Sequence, residues 1–102
     1  MSYISLITYE NAKKLRNKLE FYIKLIENYE VDSLEKFIIK NYALTNSSSE
    51  VIKRFNNSHK QYGVHTLTRE QVLNVIKASP RDDLHKIVKS GYIKKYNRKN
   101  FT

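Results

Sequence analysis

Residues 82–92 read DDLHKIVKSGY, and residues 32–42 read DSLEKFIIKNY. The two stretches align without a gap at an offset of fifty residues, with Asp32/Asp82, Leu34/Leu84, Lys36/Lys86 and Tyr42/Tyr92 identical. Phe37/Ile87 and Ile38/Val88 keep an apolar stripe at helical spacing. Asn41 opposes Gly91, and these are the two residue types that enter left-handed geometry most readily. The pattern predicts one amphipathic helix, stopped by a left-handed residue and a following tyrosine, written twice. Upstream at the same offset, Tyr22/Val72, Ile23/Leu73, Leu25/Val75 and Ile26/Ile76 agree in polarity. A helix pair cannot bury its apolar face alone, so the expected architecture is two similar motifs in tandem, 1–46 and 47–102, packed into one domain.

The flanking segments read as helix too. Ala12, Leu15, Leu19, Tyr22, Ile26 and Tyr29 recur at spacings of three and four, which predicts a helix over 10–29 with Thr8 as its cap. That stripe could form a coiled-coil seam; packing within the chain is preferred, because the later segments need a surface to bury against. Asp32 is the expected cap of the next helix. Ser47 and Glu50 form a capping-box pair that should open a third helix ending at Gly63. Thr68 and Gln71 repeat that logic, and Ser79-Pro80 is the expected start of the last helix. The fold class is therefore all-α, with 1–7 and 92–96 left open as short terminal strands.

A chain of 102 residues with two glycines, one proline and no cysteine fits a single helical domain without disulfides or thiolate metal sites. No long apolar run suggests a membrane span, and the N-terminus lacks a basic, apolar leader. The expectation is a soluble intracellular protein. The net charge of +9 is unevenly placed: residues 1–50 carry seven basic and seven acidic side chains, and residues 51–102 carry twelve and three. Such asymmetry points to an anionic partner or to solvated lysine faces.

Residues that could carry catalysis are sparse. Two glycines exclude a phosphate-binding loop, and His59, His65 and His85 match no metal-ligand spacing. Asp82-Asp83 suits a helix N-terminus, where the dipole favours an anion. No enzyme, cofactor or metal site is expected.

Two binding readings remain. In the preferred one, the seam between the motifs forms a groove for a protein or peptide partner, lined by Tyr22, Tyr29, Phe37, Tyr42, Ile87 and Tyr92. In the alternative, the basic second half binds nucleic acid as a winged helix or non-specifically. There 92–96 would be a wing strand, and Lys89, Lys94, Lys95, Arg98 and Lys99 would meet phosphates. The acids at 82–83 and the scarcity of Arg, Asn and Gln on the candidate reading helix argue against sequence-specific recognition.

With its paired segments DSLEKFIIKNY and DDLHKIVKSGY in a Lys/Ile/Tyr/Asn-rich chain, the sequence resembles the small orphan proteins of filamentous viruses that infect hyperthermophilic archaea. The resemblance implies a non-enzymatic role in the cytoplasm of an infected host cell or in the virion, and the chain is expected to be a monomer or homodimer.

Overall fold

Five helices among the described residues follow from five capped starts. The structure is a computed structural model that describes residues 6–58 and 62–100, with side chains through 97. Helix α1 spans Tyr9–Glu27, and the Thr8 hydroxyl accepts from the N–H of Asn11 at 3.1 Å. Helix α2 spans Leu34–Thr45 behind Ser33, and α3 spans Ser48–Asn56 behind Ser47. Helix α4 spans Arg69–Lys77 behind a full capping box, in which Thr68 and Gln71 satisfy each other's backbone N–H. Helix α5 spans Asp83–Asn100, and the Asp82 carboxylate accepts from the N–H of His85 at 2.8 Å. Each such cap satisfies an otherwise orphaned donor and stabilises its helix by about 1 kcal/mol.

The core is built by α2 to α5. Ile38, Ile39 and Tyr42 of α2 meet Val51 and Phe55 of α3, Val72 and Ile76 of α4, and Leu84 and Val88 of α5. Leu67, in the segment before α4, plugs the same core. Only Asn46 and Ser47 separate α2 from α3, and Asn46 takes the left-handed conformation (φ 53°) that so tight a corner requires. The segment between α3 and α4 turns through Tyr62 and Gly63, both at positive φ. His85 is buried, with Nε2 against the carbonyl of Ile76 at 3.2 Å and Nδ1 accepting from the N–H of Arg81 at 3.4 Å. Both ring nitrogens thus serve the α4–α5 corner.

Helix α1 stands apart. It contributes no buried residue and leans on α2 and α5 through Tyr22, Leu25 and Ile26, with Tyr29 packing just beyond its end. Leu15 and Leu19 of the same stripe stay 48% and 51% exposed. The radius of gyration is 15.7 Å, above the about 13 Å of a compact chain this long. The platform expected from the cleanest apolar stripe is therefore an outrigger, and α2 takes the central place.

Several boundaries differ from expectation, each for a local reason. Neither Asn41 nor Gly91 stops a helix. Asn41 lies inside α2, where its side chain donates to the Phe37 carbonyl (2.8 Å) and accepts from Arg54 of α3 (3.3 Å). Gly91 lies inside α5 and lacks a positive φ. One helix-interior glycine costs only about 1 kcal/mol, and the stripe Leu84, Val88, Tyr92 carries the helix across it. The cap of α2 is Ser33, while Asp32 pairs with Lys36 at 3.6 Å. Helix α3 ends at Asn56, short of Gly63, and α5 starts from Asp82 because Ser79 and Pro80 belong to the connecting loop. No strand occurs among the described residues, and 92–96 are helical; of 1–7, residues 1–5 lie outside them. The shared stop that pointed to a repeat is thus absent from both copies. What persists is helix placement: α1 and α4 end fifty residues apart, at Glu27 and Lys77.

Candidate functional site

Where α5 crosses α2 beneath the end of α1, the surface opens into a groove of about 510 Å³. Helix α1 supplies Tyr22; α2 supplies Tyr42, Ala43 and Asn46; α5 supplies Ile87, Val88, Gly91 and Tyr92, with Lys94 and Lys95 beyond them. The α5 residues share one helix face because they recur at intervals of three and four. Gly91 sits in the middle of that face, and a Cβ built there meets nothing within 4 Å. Its missing side chain is therefore space in the groove, unconnected with backbone strain.

Tyr42 and Tyr92 meet edge to face, with ring centroids 6.4 Å apart, and Tyr92 stacks in turn on Tyr96 at 6.4 Å. This aromatic run joins α2 to α5 along one wall. Lys95 adds a second tie by donating from Nζ to the carbonyl of Asn46 at 3.2 Å. Burial pushes the hydroxyls of Tyr22 and Tyr42 above the ordinary tyrosine range; for Tyr42 the neighbouring Tyr92 adds to the rise and Arg69 opposes it. Both phenols stay neutral at physiological pH, so they add no negative charge to the groove.

Two smaller depressions adjoin it. One shares Tyr22 and Ile87 and continues over Lys18, Leu19 and Phe21 of α1. The other shares Tyr42, Asn46, Tyr92 and Lys95 and continues over Ser47, Arg69 and Tyr96. The far side of the molecule has different chemistry. There the Tyr29 hydroxyl donates to the Asp82 carboxylate at 2.7 Å, and Glu35 pairs with Arg81 at 3.6 Å. The Tyr29 hydroxyl is raised well above its usual range by burial first, then by that hydrogen bond and the charges of Asp82 and Asp32.

Of the six groove residues expected from sequence, the fold brings together Tyr22, Tyr42, Ile87 and Tyr92. Tyr29 is tied to Asp82 on the other side, beside a small cleft of about 160 Å³. Phe37 packs on Phe55 and Tyr62, with centroids 6.0 and 5.9 Å away. Of the cations expected at nucleic acid, Lys94 and Lys95 line the groove, and Lys89 falls on another face of α5, since five residues advance a helix by well over one turn. Arg98 and Lys99 are in the last turn of α5, beyond the described side chains. The winged-helix geometry does not occur: residues 92–96, the proposed wing, continue α5.

Sequence reasoning missed Ala43, Asn46, Val88 and Gly91. The signal was present in Ile87, Gly91 and Lys95, one face at intervals of four, and it was obscured by taking the glycine as a helix end. Among the described residues no cluster of His, Cys, Asp and Glu could hold a metal ion, and no helix is long and apolar enough to cross a membrane. No family model, curated protein or solved structure matches the chain.

Proposed function

We propose that the chain is a non-enzymatic interaction module that binds a protein or peptide segment in the groove between α1, α2 and α5. The observation that carries this reading is the groove itself: an open, largely aliphatic and aromatic trough of about 510 Å³, built by helices from both halves of the chain. Apolar side chains left facing water between two helices are a recurrent seat for a partner's helix or strand. The tyrosines suit such a seat, because they offer large apolar area with little side-chain entropy to lose.

A filled groove tests the proposal. Gly91→Leu places a side chain where a Cβ meets nothing, and leucine favours helix more than glycine does. The variant is expected to unfold no earlier than the parent. Peptides selected from a phage-displayed random library on the parent chain should lose binding to it. Peptides that bind parent and Gly91→Leu equally, or a library that yields no binder, would overturn the proposal. The nucleic-acid alternative is tested beside it: a salt-sensitive shift of duplex DNA, unaffected by Gly91→Leu and lost with Lys94→Glu/Lys95→Glu, would make that the main function.

A further inference from the structure

The groove and its two neighbours form one strip, joined through Tyr22 and Ile87 at one end and through Tyr42, Asn46, Tyr92 and Lys95 at the other. The strip has only one sign of charge. Lys18, Lys94, Lys95 and Arg69 line it, and no aspartate or glutamate does. Among the described residues none of these four cations is engaged in an ion pair, and the carboxylates of Asp32, Glu35 and Asp82 are committed elsewhere. From this, and resting on the function proposed above, we infer that the partner segment is an acidic amphipathic helix. Its apolar side chains lie over Ala43, Ile87, Val88 and Gly91, and its carboxylates meet the four cations.

Charge and surface chemistry both select this occupant. A neutral apolar peptide would fill the floor and bring no carboxylate to the four cations at its edges. A second copy of the chain brings its own net charge of +9 and repels. A polynucleotide would answer the charges, but the floor of Ala43, Ile87, Val88 and Gly91 is aliphatic and Tyr42 is 5% exposed; the open rings, Phe21 at 57% and Tyr96 at 56%, lie in the two flanking depressions instead of along the floor. Gly91 fits the same picture, because a helix lying across α5 comes closest where α5 has no side chain.

Sequencing the phage peptides selected on the full-length chain at low salt tests the inference. Enriched peptides should carry acidic residues together with apolar residues at helical spacing. Their affinity should fall with salt, and the double variant Lys94→Glu/Lys95→Glu should weaken it roughly tenfold or more. Neutral apolar peptides that lose binding to Gly91→Leu and are indifferent to the lysine reversals would overturn the acidic partner while leaving the groove as a binding site. Peptides insensitive to Gly91→Leu would overturn both. A labelled oligothymidylate that binds the parent, is blocked by Gly91→Leu and displaces the selected peptides would assign the strip to single-stranded nucleic acid instead.

Discussion

Helices α1 and α5 are the two longest among the described residues, at 19 and 18 residues, or about 28 and 27 Å. Their sequences advertise opposite roles. Helix α1 has a regular apolar stripe from Ala12 to Ile26 and no glycine, whereas α5 is interrupted by Gly91 and crowded with lysines. The structure reverses the ranking. Leu84, His85 and Val88 of α5 are buried, and no residue of α1 is. Amphipathicity records that a helix has a face to cover and carries no information on what covers it. In α5 the apolar face is consumed by α2 and α4 at its start, and the remainder floors the groove. In α1 only the end of the stripe reaches the body, so Leu15 and Leu19 stay half exposed.

Substitutions in the two helices should differ in cost. The largest effect is expected from Leu84→Ala, which opens a cavity at a fully buried site and should cost about 3 kcal/mol in denaturant unfolding. Next comes Tyr29→Phe, which removes the hydroxyl contact between the segment after α1 and the start of α5 and leaves a carboxylate oxygen less satisfied. It should cost about 1 kcal/mol. The same variant has a pH signature. The folded state holds the Tyr29 proton more tightly than the unfolded chain does. Its stabilising effect is therefore complete below the unfolded tyrosine pKa of about 10 and is lost as pH climbs above it. Thermal unfolding should show the parent losing stability on the alkaline side more steeply than Tyr29→Phe.

Gly91→Ala should move the other way, raising stability by about 0.5–1 kcal/mol, because the position is helical and open. A loss of stability there would mean that the glycine is demanded by the backbone after all. The smallest effect is expected at Leu19→Ala, within about 0.5 kcal/mol of the parent, as for an exposed residue. If Leu19→Ala and Leu84→Ala cost the same, the distinction between outrigger and core helix fails.

Helix starts were the most legible feature of this chain. Thr8, Ser47 and Thr68 cap where their side-chain chemistry says they should, since an N-cap bond spans three residues and needs no tertiary partner. Helix ends were not legible. Asn41 and Gly91 can each stop a helix, and neither does, because a bond to Arg54 and packing beyond Val88 outweigh a local preference of about 1 kcal/mol. The site was legible in the same measure. Tyr42 and Tyr92 were paired by their place in the alignment and do meet. Tyr29 and Phe37, equally aromatic, point to Asp82 and Phe55 instead, and nothing local to either residue encodes that choice.

Residue order alone made the chain helical, placed the α1, α3 and α4 starts at Thr8, Ser47 and Thr68, and gathered the positive charge in the second half. Those properties reside in periodicity, caps and composition, which act within a few residues. Packing between helices made α2 central and α1 peripheral, left a groove over Gly91, and brought Lys94 and Lys95 to the same groove as Tyr22. These depend on which apolar faces meet, and the several helices that could have met α2 differ by packing energies that no local pattern records.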